Sequence, residues 1–410
     1  MTTETIPSHH ERLPQLTNTL IERGALGVVV IDASSLGLIE YKYGTGAYEE
    51  VRQRVFRTLT EASGKDLREG DLLALESPLG VNVLMFPDAK RRRAVSVNVT
   101  DLKALRTRLL ATVAPNIARA AFPYLKSAPR IEVGCGMAIH NPLVHPARLL
   151  DRARTDALAQ AAHFRRAAGL AILEALQDTI VRERVTTAYQ PILSLEARTI
   201  LGFEALSRGS RGNPLESADD LFSAAAEHQY LVELDRLCRK RALLNSSRIP
   251  SNSKLFINTL PATIRDPEFR GKLLIDFLER AQVAPQRIVL EITEKLVIEN
   301  YGLFQEAMAY FSDLGMSFAV DDVGAGYSGL EAIARLKPAF LKIDIALVRD
   351  VHVSLVNREM VKAIVSLGHG IGSAVIAEGI HSEDEARTLV ETGVDFGQGY
   401  HLARPDPGVE

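Results

Sequence analysis

Two consecutive carboxylates, Asp321 and Asp322, follow a short apolar run, and a glycine-rich turn comes directly after them. Neighbouring side chains on a strand point to opposite faces, so both can face one site only where the strand ends and the backbone bends. Two carboxylates this close repel each other unless a cation lies between them, which favours a divalent metal site. The alternative is an acidic cap for a helix that starts near Ser328.

The same pattern, a polar side chain at the end of an apolar run, recurs along the second half of the chain. The residues concerned are Glu204, Asn258, Glu291, Asp321, Lys342, Asp344 and Glu378. Any one of the acids, or Asn258, could alone cap the following helix. Together they offer oxygen ligands without Cys or His, which suit Mg²⁺ or Mn²⁺ and do not suit zinc. Such a cluster can hold two cations as phosphoryl transfer requires, with Lys342 as a positive donor at the same mouth.

Short strands and helices alternate through this half of the chain. We expect strands at 186–192, 200–205, 254–258, 287–291, 317–321, 340–344, 374–378 and 394–396, and helices at 170–184, 218–244, 267–281, 302–314, 329–336, 357–368 and 383–391. This rhythm predicts an α/β fold, a TIM-like (β/α)₈ barrel, whose strands deliver their C-terminal ends to one face. A doubly wound open sheet is the alternative, and the glycine fingerprint typical of its first turn is absent from the sequence.

The first half predicts a smaller α/β domain. A buried strand at 26–31 ends at Asp32, segments 72–75 and 81–86 form a hairpin, and 131–139 is a further strand. Helices are expected at 48–61, 100–113 and 146–168. We therefore divide the chain into a lead-in at 1–22, a first domain at 23–168 and the barrel domain at 169–410.

Composition excludes several classes of function. A net charge of −3 over 410 residues gives no drive toward a nucleic-acid polymer. The sequence has neither an apolar run long enough for a membrane span nor the features of a signal peptide at its start, which predicts a cytoplasmic protein with no membrane association. Cys135 and Cys238 are isolated in apolar surroundings and predict buried thiols.

The motifs of the second half resemble those of EAL domains. They are Tyr189-Gln190-Pro191-Ile192, Glu204-Ala205-Leu206-Ser207-Arg208, Asn258, Glu291-Ile292-Thr293-Glu294, Asp321-Asp322-Val323-Gly324, Leu341-Lys342-Ile343-Asp344, Ala377-Glu378-Gly379 and Gln398-Gly399-Tyr400. The resemblance runs from Gln177 to Pro405. It implies a cyclic di-GMP phosphodiesterase with a TIM-like barrel that releases linear pGpG.

The resemblance also implies roles for the motif residues. One of two Mg²⁺ or Mn²⁺ ions would be held by Glu204, Asn258, Glu291 and Asp321, and the second by Asp321, Asp322 and Glu378. Besides Glu291 and Asp321, the catalytic residues would be Lys342, which stabilises charge, and Gln398, which places water or substrate. Gln190, Arg208 and Asp344 would contact the dinucleotide. Glu294 would tether the loop after Asp322, which links the site to a homodimer interface of the EAL domain.

Three residues of that loop depart from the family pattern. Val323, Ala325 and Gly329 replace Phe, Thr and Ser respectively. None of them belongs to the ligand set. The departures therefore bear on loop ordering, dimer coupling and rate more than on metal binding.

The first domain resembles a GGDEF domain more weakly. The strand ending at Asp32, Tyr43-Gly44 ahead of a helix, and a final helix with Asp156-Ala157-Leu158 follow that layout. The signature turn is missing, because residues 77–81 read Ser-Pro-Leu-Gly-Val without a glycine pair or an acid. We expect no cyclase activity. The alternatives are a sensor for GTP or a protein partner, and a dimerisation scaffold.

Two functions of the barrel remain open at this point. One is hydrolysis of cyclic di-GMP, and the other is a receptor that binds the dinucleotide without turnover and signals through the first domain. The complete set of motif residues favours the enzyme. A different nucleotide substrate is excluded only by the family resemblance.

Overall fold

The computed structural model describes residues 6–62, 65, 67, 71–77, 80–87, 98–125, 129–260, 266–294, 301–324 and 330–406. The chain divides into two compact units, Met1–Ala171 and Ile172–Glu410. The boundary falls inside one helix, so that helix contributes residues to both units. No helix within the described ranges combines the length and the apolar character that a membrane crossing requires.

A four-stranded antiparallel sheet forms the centre of the first unit. Its strands are β1 Ala25–Asp32, β2 Leu72–Leu75, β3 Val83–Phe86 and β4 Glu132–Ile139, in the order β2-β3-β1-β4. The predicted hairpin is confirmed, with Leu72 opposite Phe86. β1 lies between two neighbours and is buried along nearly its whole length, which accounts for its uninterrupted apolar run.

Helices cover both faces of this sheet. They are α1 His9–Arg23, α2 Gly37–Glu61, α3 Val99–Thr112, α4 Ala114–Ala120 and α5 Pro146–Val181. Val29 and Ile31 pack with residues of α2, α3 and α4, whereas Val28 and Val30 pack with α1 and α5. The alternation follows the two-residue period of a strand.

Two helix predictions in this unit are wrong at their boundaries. α2 begins at Gly37 and not at Tyr48. The prediction missed the first part of the helix because Gly44 (φ 84°, ψ 169°) interrupts the helical geometry and the helical pattern of the sequence. The helices expected at 146–168 and 170–184 form the single helix α5. Gly169 does not end this helix, since alanines on both sides favour helical geometry.

The second unit is a closed eight-stranded barrel surrounded by helices, which confirms the TIM-like α/β fold. The strands are β5 Val185–Ser194, β6 Ile200–Gly209, β7 Lys254–Asn258, β8 Ile288–Thr293, β9 Ser317–Val323, β10 Phe340–Ile343, β11 Ala374–Ala377 and β12 Phe396–Gly397. The helices are α6 Ala218–Glu227, α7 Leu231–Leu244, α8 Gly271–Ala281, α9 Tyr301–Asp313, α10 Leu330–Leu336, α11 Ile345–Val348, α12 Leu355–Ile371 and α13 Glu383–Glu391.

One strand of the barrel departs from the expected direction. β5 runs antiparallel to both neighbours, β6 and β12, while the other adjacent pairs are parallel. The prediction that every strand delivers its C-terminal end to one face is therefore wrong for β5. The cause is the short turn at 195–199, which joins β5 to β6 as a hairpin and leaves no room for a crossover helix.

The helix expected at 218–244 is divided into α6 and α7. Gln229 has a left-handed φ of 63°, and the backbone N–H of Tyr230 donates to the carbonyl of Ala225. This geometry ends α6 and redirects the chain before α7 begins. The single-helix prediction is wrong because no glycine or proline marks the break.

An apolar layer fills the interior of the barrel. Its buried members are Ile192, Phe256, Val289, Ala319, Phe340 and Ile376. The rings of Phe256 and Phe340 meet edge to face with centroids 5.2 Å apart. Interior positions recur every second residue along a strand, so the next interior residues lie one step above this layer.

Candidate metal centre and active site

Polar side chains occupy the interior positions directly above the apolar layer. The residues two positions beyond that layer are Asn258, Glu291, Asp321, Lys342 and Glu378, with Gln398 following Phe396 in the same way. On the reversed strand β5, Gln190 lies two residues before Ile192 and pairs with Glu204 of β6. The two-residue period thus places these predicted site residues at one end of the barrel.

Lys342 lies at the centre of this group and is fully buried. Its Nζ is 2.6 Å from Glu378 Oε1, 2.7 Å from Glu291 Oε1, 3.3 Å from Asp321 Oδ1 and 3.4 Å from Glu204 Oε2. The side chain predicted to be a donor at the barrel mouth is therefore the central charge of the acidic cluster.

The cluster holds more negative charge than one ammonium balances. Burial raises the pKa of Glu291 well above its usual range, and the charge of Glu204 adds to this. Burial also raises the pKa of Asp321 and that of Glu378. Burial alone would lower the pKa of Lys342, but the surrounding carboxylates, Asp321 foremost, raise it well above normal. Such opposed shifts indicate a site built for additional positive charge.

Two amides orient the carboxylate of Glu204. Asn258 Nδ2 donates to Glu204 Oε1 at 3.0 Å and to Glu291 Oε2 at 3.2 Å. Gln398 Nε2 donates to Glu204 Oε2 at 2.8 Å. Burial would raise the pKa of Glu204, but Lys342 and these two amides outweigh it and lower the pKa, in contrast to Glu291, Asp321 and Glu378.

The consecutive aspartates lie together with Glu378. One carboxylate oxygen from each of Asp321, Asp322 and Glu378 lies within 4.8 Å of the others. Asp322 has a left-handed φ of 58°, so the backbone bends at the aspartates as expected. The strand does not end there, however, because β9 continues to Val323 with a shift in its register to β10. Oxygen ligands with excess negative charge fit Mg²⁺ or Mn²⁺, whose preferred donors are carboxylates and amide oxygens.

Glu294 contacts the turn that follows the aspartates. Its buried side chain accepts a hydrogen bond from the backbone N–H of Gly324. Val323, one of the three departures in this loop, is fully buried in the barrel core. The other two, Ala325 and Gly329, lie outside the described residues.

Three residues are predicted to contact the dinucleotide, and none of them is among the carboxylates around Lys342, which we call the lysine-centred cluster. Two of the three are hydrogen-bonded to neighbouring residues, and the third lines a cavity. Gln190 Oε1 accepts from Gln398 Nε2 at 3.0 Å, and its Nε2 donates to the carbonyl of Ala403 at 3.1 Å. Asp344 caps α11 by accepting from the N–H of Ala346 at 2.8 Å. Arg208 is half-buried and lines a separate part of the site.

That part is a cavity of about 310 Å³ beside the cluster, which Arg208, Asn258 and Glu291 help to line. Its wall contains Asp235 and Arg239, which are buried and paired at 2.9 Å. These two residues were not among those predicted for the site. The available signal was their position four residues apart on the apolar face of α7, where charged residues need partners.

Asp32 of the first unit is bound by an arginine side chain and a backbone N–H. Asp32 Oδ2 accepts a hydrogen bond from Arg165 Nη1 at 2.5 Å, and its Oδ1 accepts from the N–H of Ser34. The guanidinium of Arg165 is therefore the positively charged partner of Asp32. Pro78 and Leu79, within the turn that lacks the GGDEF signature, lie outside the described residues.

Fold and site define a (β/α)₈ barrel with one reversed strand and an acidic centre suited to divalent cations. The EAL domain family matches residues 173–405, which is more than half of the 410 residues. The chain belongs to the EAL domain family.

Curated relatives share this region. The cyclic di-GMP phosphodiesterase PdeR of Escherichia coli (strain K12) is 38% identical over 240 residues, covering 57% of this chain and 36% of PdeR. The cyclic di-GMP phosphodiesterase PdeA of Borreliella burgdorferi is 27% identical over 241 residues, covering 58% of this chain and 36% of that protein. The chain thus spans little more than a third of the length of these relatives.

Solved structures share the fold. The EAL domain of Xanthomonas citri FimX in complex with c-diGMP superposes with a TM-score of 0.55 at 22% identity, covering 60% of this chain and 99% of that one. The EAL enzyme Bd1971 in its cGMP-bound form gives a TM-score of 0.52 at 25% identity, covering 70% and 83%.

Proposed function

We propose that the second unit hydrolyses cyclic di-GMP to linear pGpG with two Mg²⁺ or Mn²⁺ ions. The observation that carries this proposal is the lysine-centred cluster, in which the predicted ligands Glu204, Glu291, Asp321 and Glu378 all contact Lys342. The phosphodiesterase names of PdeR and PdeA support the choice of substrate.

The proposed ligand sets are those that the resemblance to EAL domains implies. Glu204, Asn258, Glu291 and Asp321 would hold one cation, and Asp321, Asp322 and Glu378 the other. When bound, the cations would polarise the phosphoryl oxygens and lower the pKa of a bound water molecule toward neutral pH. The excess negative charge of the buried cluster is the physical reason to expect them.

Residues of the chain itself supply charge and orientation. Lys342 places a positive charge at the centre of the cluster, near the negative charge that develops during attack on a phosphodiester. Gln398 fixes Glu204 with its Nε2, while its buried Oε1 has no hydrogen-bond partner among the described residues. That oxygen is suited to accept a hydrogen bond from a water molecule or from the substrate.

The dinucleotide would bind across the cavity beside the cluster. Arg208 lines that cavity and offers a planar fork that matches two phosphate oxygens. Gln190 and Asp344 remain predicted contacts of the dinucleotide. Buried Asp235 supplies a carboxylate in the cavity wall.

Replacement of Glu204 tests the proposal. We expect Glu204→Ala to lower pGpG formation at least about a thousandfold, because the variant loses a metal ligand and leaves Lys342 less balanced. Glu196→Ala is the control, since Glu196 is exposed on the β5–β6 turn at the other end of the barrel. A fully active Glu204→Ala protein contradicts the proposal. A protein that binds cyclic di-GMP without releasing pGpG is the receptor alternative.

We extend the proposal to a homodimer formed through the barrel. Exposed apolar side chains cluster at the start of α12, with Leu355 67% and Val356 73% exposed, and Val353 and Met360 beside them. Apolar patches of this kind are typical of interfaces. Leu355→Glu with Val356→Glu should convert a dimer into a monomer in light scattering, whereas Val181→Glu, also at an exposed apolar residue, should not. An unchanged mass for the double variant contradicts this interface.

The first unit is proposed to be a GGDEF-like regulatory or dimerisation module without cyclase activity. The pairing of Asp32 with Arg165 supports this, because the charge of Arg165 balances the carboxylate of Asp32, whereas in the barrel four carboxylates share the single charge of Lys342. Incubation with GTP and Mg²⁺ should form no cyclic di-GMP. Calorimetric binding of GTP would favour the sensor, and its absence the scaffold or a protein partner.

A further inference from the structure

Lys342 occupies an interior position of the barrel at which the apolar side chains of β10 are replaced by a charged one. It follows Phe340 by two residues, so its side chain points inward and upward from the apolar layer. A fully buried lysine is rare unless its charge is balanced locally. Here the balance comes from the same carboxylates that are proposed to bind metal.

The contacts of the ammonium are those of a small cation among oxygens. Four carboxylates approach it within 3.4 Å, and among the described residues every ion pair of these carboxylates is made with Lys342. The two shortest contacts, to Glu378 and Glu291, are at the distance of charge-assisted hydrogen bonds. The ammonium is therefore a positive charge enclosed by the acidic cluster.

We infer that Lys342 is the internal counter-cation of the metal-free site and competes with divalent cations for the same carboxylates. The inference rests on the proposed metal-binding function and adds a role for this side chain before substrate arrives. A cation that binds Glu204, Glu291 and Asp321 must draw their oxygens away from the ammonium. It also meets the repulsion of a positive charge already enclosed there.

Charge and shape can be separated with two substitutions. Lys342→Gln removes the charge and keeps a polar side chain, whereas Lys342→Arg keeps the charge. Lys254→Gln is the matched control, because Lys254 begins β7 and so lies at the opposite end of the barrel from Asn258. Each full-length protein is freed of metal, and Mn²⁺ binding is measured without nucleotide by the loss of the free Mn²⁺ signal in electron paramagnetic resonance.

We expect Lys342→Gln to bind Mn²⁺ at least about tenfold more tightly than the wild type, because one enclosed positive charge has been removed. Lys342→Arg and Lys254→Gln should stay within about threefold of the wild type. Equal or weaker binding by Lys342→Gln overturns the inference and leaves the proposed function intact. Failure of the wild type and of all variants to bind Mn²⁺ overturns the proposed metal site itself.

Thermal unfolding provides a second measurement in case the substitution impairs folding. Without metal, Lys342→Gln should unfold at a lower temperature than the wild type, because its buried carboxylates lose their counter-charge. Mn²⁺ should raise its unfolding temperature by more than it raises that of the wild type. A metal-induced rise no larger than that of the wild type, or a variant that Mn²⁺ cannot refold, overturns the inference.

Discussion

The carboxylate of Glu294 accepts a hydrogen bond from the backbone N–H of Gly324, with Oε2 and N 3.1 Å apart. Glu294 is buried beyond the end of β8, and Gly324 follows the paired aspartates with a left-handed φ of 94°. A Cβ at Gly324 would lie 2.3 Å from Leu347 Cδ1 in α11. The turn after Asp322 is thus fixed from two sides, by a hydrogen bond and by close packing.

Removal of this hydrogen bond should impair the site without removing a proposed ligand. We expect Glu294→Ala to lower kcat about 10–100-fold, the usual effect of losing a residue that orients metal ligands. Glu294→Gln keeps an acceptor oxygen and should recover much of the rate. Steady-state kinetics of both variants, with exposed Glu331→Ala as control, measure the effect. A wild-type rate for Glu294→Ala would show that the tether is dispensable.

Close packing in the first unit leads to a prediction about stability. A Cβ on Gly134 of β4 would lie 1.9 Å from the carbonyl oxygen of Ala157 in α5, and that backbone cannot move cheaply. Gly134→Ala should therefore lower the free energy of unfolding by at least about 3 kcal/mol. Gly46→Ala, in open space within α2, should instead raise it by about 0.5–1 kcal/mol. Denaturant unfolding of the two variants compares them, and equal stabilities would contradict the packing argument.

The ion pairs around Asp266 predict a pH-dependent stability. Burial would raise the pKa of Asp266, but hydrogen bonds from Arg236, Arg239 and the N–H of Glu268 outweigh it and lower the pKa. The stabilisation is therefore fully present above the unfolded pKa of about 3.9 and is lost as the pH falls through the lower folded value.

Asp266→Asn should lower the free energy of unfolding by about 3–5 kcal/mol at pH 7, because it leaves buried Arg239 with one partner fewer. The difference from the wild type should shrink below pH 4. Glu268→Gln, whose side chain is exposed, should change stability by less than about 1 kcal/mol. Denaturant titrations across pH measure both, and a pH-independent difference for Asp266→Asn would refute the assignment.

The two thiols should react slowly in the folded protein. Burial raises the pKa of Cys135 to about 11 and that of Cys238 to about 12. At pH 8 the reactive thiolate is therefore scarce, whereas unfolding returns both thiols to a pKa of about 8.5. A disulfide reagent should label both rapidly in denaturant and slowly without it. Fast labelling of the native protein would show that buried Cys238 and half-buried Cys135 are accessible to the reagent, which would contradict this prediction.

The acidic site was predictable because its residues obey the period of a strand. Asn258, Glu291 and Asp321 each follow an apolar interior residue by two positions, so the pattern that buries the core also delivers them to one end. The direction in which a strand runs cannot be read from its side-chain pattern. The alternation of β5 reads the same in either direction, and its reversal depends on the short turn to β6.

Contacts between distant charges were less accessible from sequence. The spacing of Asp235 and Arg239 on the apolar face of α7 indicates that the two are paired, but their further partner Asp266 lies outside that helix and is found only in the structure. Lys342 was identified as a donor, but its enclosure by four carboxylates depends on barrel closure. Gly169 suggested a boundary between two helices, but the flanking alanines favour helical geometry and α5 continues through it.

Product analysis of cyclic di-GMP after incubation with the metal-free and metal-supplemented protein tests the central claim most directly. The account predicts that chromatography shows pGpG accumulating over many turnovers with Mg²⁺ or Mn²⁺, and none once the ions are chelated. Recovery of intact cyclic di-GMP from a protein that binds both the dinucleotide and the metal would contradict it.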